Sequence, residues 1–300
     1  MPRDTVEQAS ANWSVSISDG AQLLQGIPGG SVDLVVSSPP YCIGKAYESA
    51  GTVEEFTSEH RRVLPSVLSA LKEGGSICWQ IGHHVRDNVA VPLDAIVYNI
   101  SLEFPELVLR NRIVWHFAHG ANSSKRFSGR HETILWFTKG QHYTFDLDAV
   151  RVPQKYPGKK HYKGPRKGEW SGNPMGKNPG DVWDIPNVKA RHVEKTEHPC
   201  QFPVALAARL IRALCPANGL VVDPYMGSGS TGVAALIERR RFLGADIVPS
   251  YVEIASTRLS AAESGRLRVR ADAPTQLPIR TQAVAQRPPH FRRQHGEETF

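Results

Sequence analysis

Leu34-Val35-Val36-Ser37-Ser38-Pro39-Pro40-Tyr41 is the stretch whose reading decides the fold. An apolar run without alternation predicts the end of a strand buried on both faces, as in a parallel sheet. Pro39 restricts Ser38, and Pro40 restricts Pro39, so the strand is expected to run out into a stiff loop. Open α/β sheets hold their ligands at the carboxyl ends of strands, where this loop falls. Within four residues it presents a hydroxyl, a proline carbonyl and an aromatic ring. Such a set can hold an amino group by hydrogen bonds and cover the ring that carries it. Taken alone, the stretch reads first as a turn after a core strand, with Tyr41 half buried. The rest of the chain changes that reading.

Outward from this loop, strands and helices alternate. Trp13–Ser18 reads as a short strand ending at Asp19-Gly20, and Ala21–Gln25 as a short helical piece. Gly51–Lys72 reads as an amphipathic helix with Phe56, Val63, Val67, Leu68 and Leu71 on one face, kinked at Pro65 and stopped by Gly74-Gly75. Ser76–Ile81 is a second buried strand, Pro92–Glu103 a helix, and Arg112–Phe117 with Thr133–Thr138 a strand pair. Further on, Pro203–Leu214 reads as a helix, Gly219–Val222 as a strand and Val233–Arg239 as a helix. Arg241–Ala245 is a strand ending at Asp246, followed by a helix over Tyr251–Leu259. This alternation predicts a mostly parallel sheet.

The 300 residues, 40% of them apolar, suffice for one large α/β domain with an insertion. A net charge of +7 suits a polyanionic partner. No apolar leader and no run of membrane-spanning length is present, so secretion and membrane spanning are not expected. Cys42, Cys78, Cys200 and Cys215 form neither a CxxC pair nor a zinc spacing, which fits a reducing, cytoplasmic setting. His83, His84, His116, His119 and His131 lack ligand spacing, and no metal is expected.

Residues 151–195 differ in character. They hold six glycines, six prolines, the aromatics Tyr156, Tyr162, Trp170 and Trp183, and 11 Lys and Arg against 4 Asp and Glu. A solvated loop is the bland account. Basic residues interleaved with aromatics on an irregular backbone point instead to nucleic acid. Lys155, Lys159, Lys160, Lys163, Arg166, Lys167, Lys177, Lys189 and Arg191 are the candidate DNA contacts.

Asp223-Pro-Tyr-Met-Gly-Ser-Gly-Ser-Thr-Gly232 joins a strand to a helix. Gly227, Gly229 and Gly232 satisfy G-x-G-x-x-G, and Asp246 follows the first by 19 residues, so an NAD-dependent oxidoreductase has to be weighed. Too little periodic chain follows Asp246 for a second nucleotide-binding half. The P-loop reading fails because no Lys-Ser/Thr follows the last glycine. A nucleoside cofactor without pyrophosphate remains: glycines admit it, Asp223 can face a cationic group, and Asp246 can accept bonds from ribose hydroxyls. S-adenosyl-L-methionine meets all three demands. Pro199-Cys200-Gln201 superficially matches a cytosine-C5 nucleophile loop, but it precedes the glycine turn and no Glu-Asn-Val occurs, so Cys200 is expected to be a small packing residue.

Ser38-Pro39-Pro40-Tyr41 early and Asp223-Pro224-Tyr225-Met-Gly227-Ser228-Gly229-Ser-Thr late, in this order around a basic insertion, resemble the β-group DNA amino-methyltransferases of restriction-modification systems. The resemblance covers roughly residues 15–260. It implies a Rossmann-like S-adenosylmethionine-dependent methyltransferase fold: an α/β, mostly parallel seven-stranded sheet with circularly permuted motif order. It implies a catalytic half over 13–150, a target-recognition insertion over 151–197 and a cofactor half over 198–263; the tail, 264–300, is rich in Arg, Gln and Pro without periodicity and is expected to be disordered. Ser38, Pro39, Pro40 and Tyr41 would be catalytic. Asp19, Phe202, Asp223, Pro224, Tyr225, Gly227, Ser228, Gly229 and Asp246 would form the cofactor site. The implied substrate is double-stranded DNA with its target base flipped out, and the functional partner is a cognate restriction endonuclease in a bacterial or phage-encoded system. Ser at the head of the tetrapeptide goes more often with the N(4) amine of cytosine than with the N(6) amine of adenine. The alternatives are adenine methylation and, more remotely, a non-catalytic DNA-binding protein.

Overall fold

The computed structural model describes residues 7–41, 51–86, 88–117, 120 and 122–270. Glu7–Ala9 (β1) and Trp13–Ile17 (β2) pair antiparallel. Asp19 then caps the short helix Gly20–Gln25 (α1), its carboxylate accepting the Ala21 N–H at 2.9 Å. That bond satisfies one of the donors every helix start leaves open. Val32–Ser37 (β3) is buried throughout, as expected for a strand covered on both faces. Val53–Ala70 (α2) begins with a capping box in which Glu55 N–H donates to Thr52 at 3.2 Å and Thr52 N–H donates to Glu55 at 2.9 Å.

The end of α2 departs from expectation. The helix continues through Pro65 and stops at Ala70, and Leu71 already opens the strand Leu71–Ile81 (β4). Gly74-Gly75 therefore lie inside a strand and end no helix. Gly74 sits at φ +78°, and a Cβ there would come 2.7 Å from the His142 carbonyl oxygen. The glycine serves a close approach of two backbones.

A hairpin that the sequence reading did not include, His83–Arg86 (β5) with Val89–Pro92 (β6), leads to Leu93–Ser101 (α3). Leu107–His116 (β7) and His131–Lys139 (β8) pair antiparallel, and Val182–Asp184 (β9) adds in parallel to β7. The chain continues through Val204–Leu214 (α4), Leu220–Asp223 (β10), Ser230–Ile237 (α5), Arg241–Asp246 (β11) and Pro249–Glu263 (α6).

One sheet has the order β1-β2-β11-β10-β3-β4-β8-β7-β9. It contains the seven strands expected, with a three-residue strand added at each edge. Neighbours from β2 to β4 are parallel, whereas β8 is antiparallel to both β4 and β7. Helices α1–α3 cover one face, burying Leu24, Phe56, Val67 and Leu93 against Val35, Trp79 and Leu135. Helices α4–α6 pack on one another and on the strands from the other side. From β10 the chain crosses over through α5 toward β2; from β3 it crosses through α2 toward β8. The switch point thus falls between β10 and β3, where a crevice is left at the strands' carboxyl ends.

Asp146–Gly180 forms a compact unit of its own, and residues 181–270 belong with the sheet. The expected insertion, 151–197, is thus divided between the two. Within the smaller unit the backbone folds on itself through the bridges Val152↔Lys177 and Lys160↔Trp170, and Lys160 Nζ lies 4.6 Å from the Trp170 ring centre. The expectation for the tail falls outside the described residues from 271 on, as do Cys42 and His119. Among the described residues no helix is long and apolar enough to cross a membrane, and no group of His, Cys, Asp and Glu could hold a metal.

Candidate active site

The crevice at the switch point encloses about 610 Å³, within the range of cofactor sites. Ser38, Pro39, Pro40 and Tyr41 line it together with Asp19, Phe202, Pro224, Tyr225, Gly227, Ser228 and Asp246. Residues nearly two hundred positions apart meet there because β3 and β10 are neighbours in the sheet.

Asp223 and Gly229 do not line it. Asp223, expected to face a cationic ligand group, is fully buried and joins the two loops from below. Its Oδ1 accepts the Ser37 hydroxyl at 2.6 Å and the Tyr225 N–H at 3.1 Å; the Thr231 hydroxyl also acts on the carboxyl, although Oδ2 makes no well-formed hydrogen bond. Burial pushes this carboxyl up to about 6, against the pull of those hydrogen bonds. Gly229 adopts φ +75° directly before α5, so that the turn closes on the helix.

Asp246, at the end of β11, accepts the N–H of Gly227 at 3.0 Å on one oxygen and that of Val248 at 2.9 Å on the other. Burial raises its pKa and these backbone donors oppose the rise. Each oxygen keeps capacity for a further donor from the crevice. Gly227, at φ +50°, admits the His198 ring: a Cβ would lie 2.7 Å from His198 Nε2. Arg258 reaches from α6 beneath the turn, its guanidinium donating to the Ser228 carbonyl and to the Ser230 hydroxyl at 3.3 Å. Burial lowers this arginine to about 10.

The other wall is ionic. Arg62 clamps Asp19 with bonds of 2.9 and 2.7 Å and also holds Glu59, whose carboxylate accepts the Tyr225 hydroxyl at 2.7 Å. The bond to Arg62 is the main reason the Asp19 carboxyl is held below its ordinary range. Gly20 presses on the same turn: a Cβ there would sit 2.5 Å from the Pro224 carbonyl oxygen.

At the tetrapeptide end, the Tyr41 hydroxyl accepts from Gln80 at 3.0 Å, and Gln80 also donates to Glu132. Burial, and next the Glu132 charge, push the Tyr41 phenol well above its usual value, so it stays neutral. Trp115 and Phe117 complete this end, their rings edge to face at 5.1 Å. Gln80, Glu132, Glu59, Arg62, Trp115 and Phe117 were all missed by sequence reasoning. Gln80 alone carried a signal, as the polar residue inside Ile77-Cys78-Trp79-Gln80-Ile81.

The loop before α4 is stapled by two buried side chains. Glu194 accepts the Val204 N–H at 2.9 Å, capping the helix, and Gln201 donates to the Glu194 carbonyl at 2.7 Å. Cys200, expected to be a packing residue, is exposed and lines the crevice beside Phe202. The nine basic candidates are all exposed; Lys155 to Lys177 belong to the unit 146–180, and Lys189 and Arg191 to the sheet unit.

A doubly wound sheet with its crevice built from a Ser-Pro-Pro-Tyr loop and a glycine-rich turn defines an α/β transferase, and the chain is matched as a DNA methylase over residues 32–257. It belongs to the N(6)/N(4) DNA methyltransferase family, which sets aside the oxidoreductase reading of the glycine turn. It is 47% identical over 243 residues to the type II methyltransferase M.BglII of Bacillus subtilis, covering 81% of this chain and 67% of that protein. It is 31% identical over 250 residues to the DNA adenine methyltransferase YhdJ of Escherichia coli K12, covering 81% of each. Among solved structures, the PvuII DNA methyltransferase (cytosine-N4-specific) superposes with a TM-score of 0.68 at 21% identity, covering 86% of this chain and 94% of that one. The M1.HpyAVI–SAM complex gives 0.55 at 19% identity, covering 82% and 98%.

Proposed function

We propose that the protein transfers a methyl group from S-adenosyl-L-methionine to the exocyclic N(4) amine of cytosine in double-stranded DNA. The observation that carries this reading is the single crevice shared by the Ser38–Tyr41 loop and the Gly227–Asp246 turn, with Asp223 binding the two together beneath it. The cofactor end suits an uncharged nucleoside. Asp246 offers carboxylate oxygens for ribose hydroxyls, Gly227 removes a Cβ from the approach, and Phe202, Ile247 and Val248 supply apolar wall. Among the described residues Arg62 is the one Lys or Arg lining the crevice, and Asp19 and Glu59 hold it, so no cluster of cations stands there for a pyrophosphate. A methylated nucleoside cofactor is also the ligand of a structural neighbour, the M1.HpyAVI–SAM complex.

Bound there, the cofactor supplies an electrophilic sulfonium methyl. The protein's own work is orientation and electrostatics. The lone pair of an aromatic amine is delocalised into its ring, which makes it a poor nucleophile. Ser38 Oγ and the Pro39 carbonyl oxygen accept the two amine hydrogens, which favours a pyramidal nitrogen and frees the lone pair. Pro39 and Pro40 hold those acceptors still. Tyr41, kept neutral by its burial and aligned by Gln80, stacks on the flipped base. Methyl transfer would leave the positive charge on the nitrogen and a neutral thioether behind, and the acidified amine proton then passes to water, so no side chain has to be a strong base.

Ser38 at the head of the tetrapeptide, and the cytosine-N4-specific enzyme among the structural neighbours, favour cytosine. The adenine enzyme among the relatives supports N(6) of adenine as the second reading. Digesting labelled product DNA to nucleosides and weighing the methylated one decides between them; N(6)-methyladenine would overturn the cytosine reading. We place the basic 146–180 unit on the DNA as the reader of sequence. We take the physiological role to be protection from a cognate endonuclease in a bacterial cytoplasm, by analogy with the type II relative.

A further inference from the structure

Phe127 is 100% exposed, more than any other large apolar side chain among the described residues. Scattered exposed hydrophobics need no explanation, but this one is presented by a loop built to hold it out. The Ser123 N–H donates to the Ser128 hydroxyl at 3.0 Å, closing the loop across its tip, and the Arg126 guanidinium bonds the Phe127 carbonyl at 3.1 Å. At the base, Arg130 donates to Asn122 at 2.6 Å, and the Phe117 N–H donates to the Arg130 carbonyl at 2.9 Å. Lys125, Arg126 and Arg130 lie within three residues of Phe127 in the chain, and no Asp or Glu occurs between Glu106 and Glu132. The loop springs from β7 and β8 one step beyond Phe117 and Glu132, both of which line the tetrapeptide end of the crevice.

We propose that Phe127 is a wedge that enters the DNA stack as the target base leaves it, with Lys125 and Arg126 on the flanking phosphates. The inference rests on the methyltransferase reading. Extruding a base leaves a gap and unstacks its neighbours, and an apolar ring driven between base steps compensates for that loss. An aromatic on a basic loop beside the flipped-base end has the chemistry and the position for it. A deep pocket would need no such residue if the DNA opened by itself; a duplex does not.

The test uses the full chain. With p-azidophenylalanine in place of Phe127, irradiation in the presence of fragmented bacterial genomic DNA and S-adenosylmethionine should crosslink protein to DNA. Absence of a crosslink overturns the wedge whether or not methyl transfer is seen. Crosslinking without any methyl transfer keeps the wedge and overturns the assigned reaction. On a duplex carrying the mapped site, Phe127→Ala should slow methylation by about tenfold or more, the scale of one lost base–aromatic stack. The loss should narrow to about threefold or less when the target base faces an abasic position and is already unstacked, and Phe127→Trp should restore the matched-duplex rate. An unchanged rate in Phe127→Ala, or an equal loss on both duplexes, refutes the proposal.

Discussion

Asp223→Asn tests the balance at the centre of the site. In the parent protein the carboxyl titrates at about 6, against 3.8 for an ordinary aspartate. Between those pH values the folded state holds more protons than the unfolded one, so stability falls as pH rises through the window. Below it both states are protonated and the burial costs nothing. At pH 7 the buried charge costs about 3 kcal/mol. Asparagine removes that charge and keeps the Oδ1 acceptor for Ser37 and Tyr225. Its amide nitrogen, however, takes the place of Oδ2, which makes no well-formed hydrogen bond. An unmet buried donor costs about 1–3 kcal/mol, so the net gain at pH 7 is about 0–2 kcal/mol. Urea unfolding of parent and variant at pH 4, 5, 6 and 7 measures it. The difference should move by about 2–2.5 kcal/mol in the variant's favour from pH 4 to pH 7. A pH-independent difference would refute the account of Asp223 as a strained, ionised bridge. Calorimetry with S-adenosylmethionine separates its two possible roles. If Asp223 acts through Ser37 and Tyr225, Asp223→Asn binds the cofactor normally and Asp223→Ala does not; if it acts by charge, both lose affinity.

His60 provides the opposite slope. It is buried with Nε2 unpartnered, and burial lowers it to about 4, so its stability contribution is lost as pH falls from 6.5 through 4. His60→Leu should remove up to about 3 kcal/mol of acid destabilisation, measured by the same unfolding series. Ser38→Ala and Tyr41→Ala should each cut single-turnover methyl transfer by about 100-fold or more while calorimetric cofactor affinity stays near that of the parent, since they act at the acceptor end. Equal loss of both would sink the division of the crevice. Gly20→Ala drives a Cβ to 2.5 Å from the Pro224 carbonyl and should cost about 1–3 kcal/mol by thermal unfolding, with weaker cofactor binding; a silent substitution would show that the turn can yield. Exchanging 146–180 for the equivalent segment of a relative should change the DNA sequence that is methylated, read by mapping modified positions, and an unchanged target would remove sequence reading from that unit.

The loop at Ser38–Tyr41 was legible because prolines and an apolar run constrain it whatever surrounds them. The β10–α5 turn was legible because glycines there are required by backbone shape. Residues whose role depends on a neighbour far along the chain were not. Asp223 looks in sequence like a free carboxylate at a strand end, and only the adjacency of β3 shows that Ser37 claims it. Gly74-Gly75 looks like a helix stop because nothing nearby announces that His142 will pass within contact distance. Glu132 precedes an apolar strand as surface glutamates do, and cysteine is a residue type more often buried than exposed, as Cys200 is. Arg62 and Glu59 read as the solvated face of α2, although together they anchor Asp19 and Tyr225.

The union of β3 with β10 has a consequence for how the protein comes into being. Ser37 is synthesised 186 residues before the aspartate that receives its hydroxyl. Until β10 emerges from the ribosome, β3 lacks a neighbour on one side, and the catalytic loop has no floor. Pairings so distant in sequence form late and slowly. The nascent chain therefore carries the tetrapeptide without its floor until residues 220–246 insert β10 and β11 between β3 and β2.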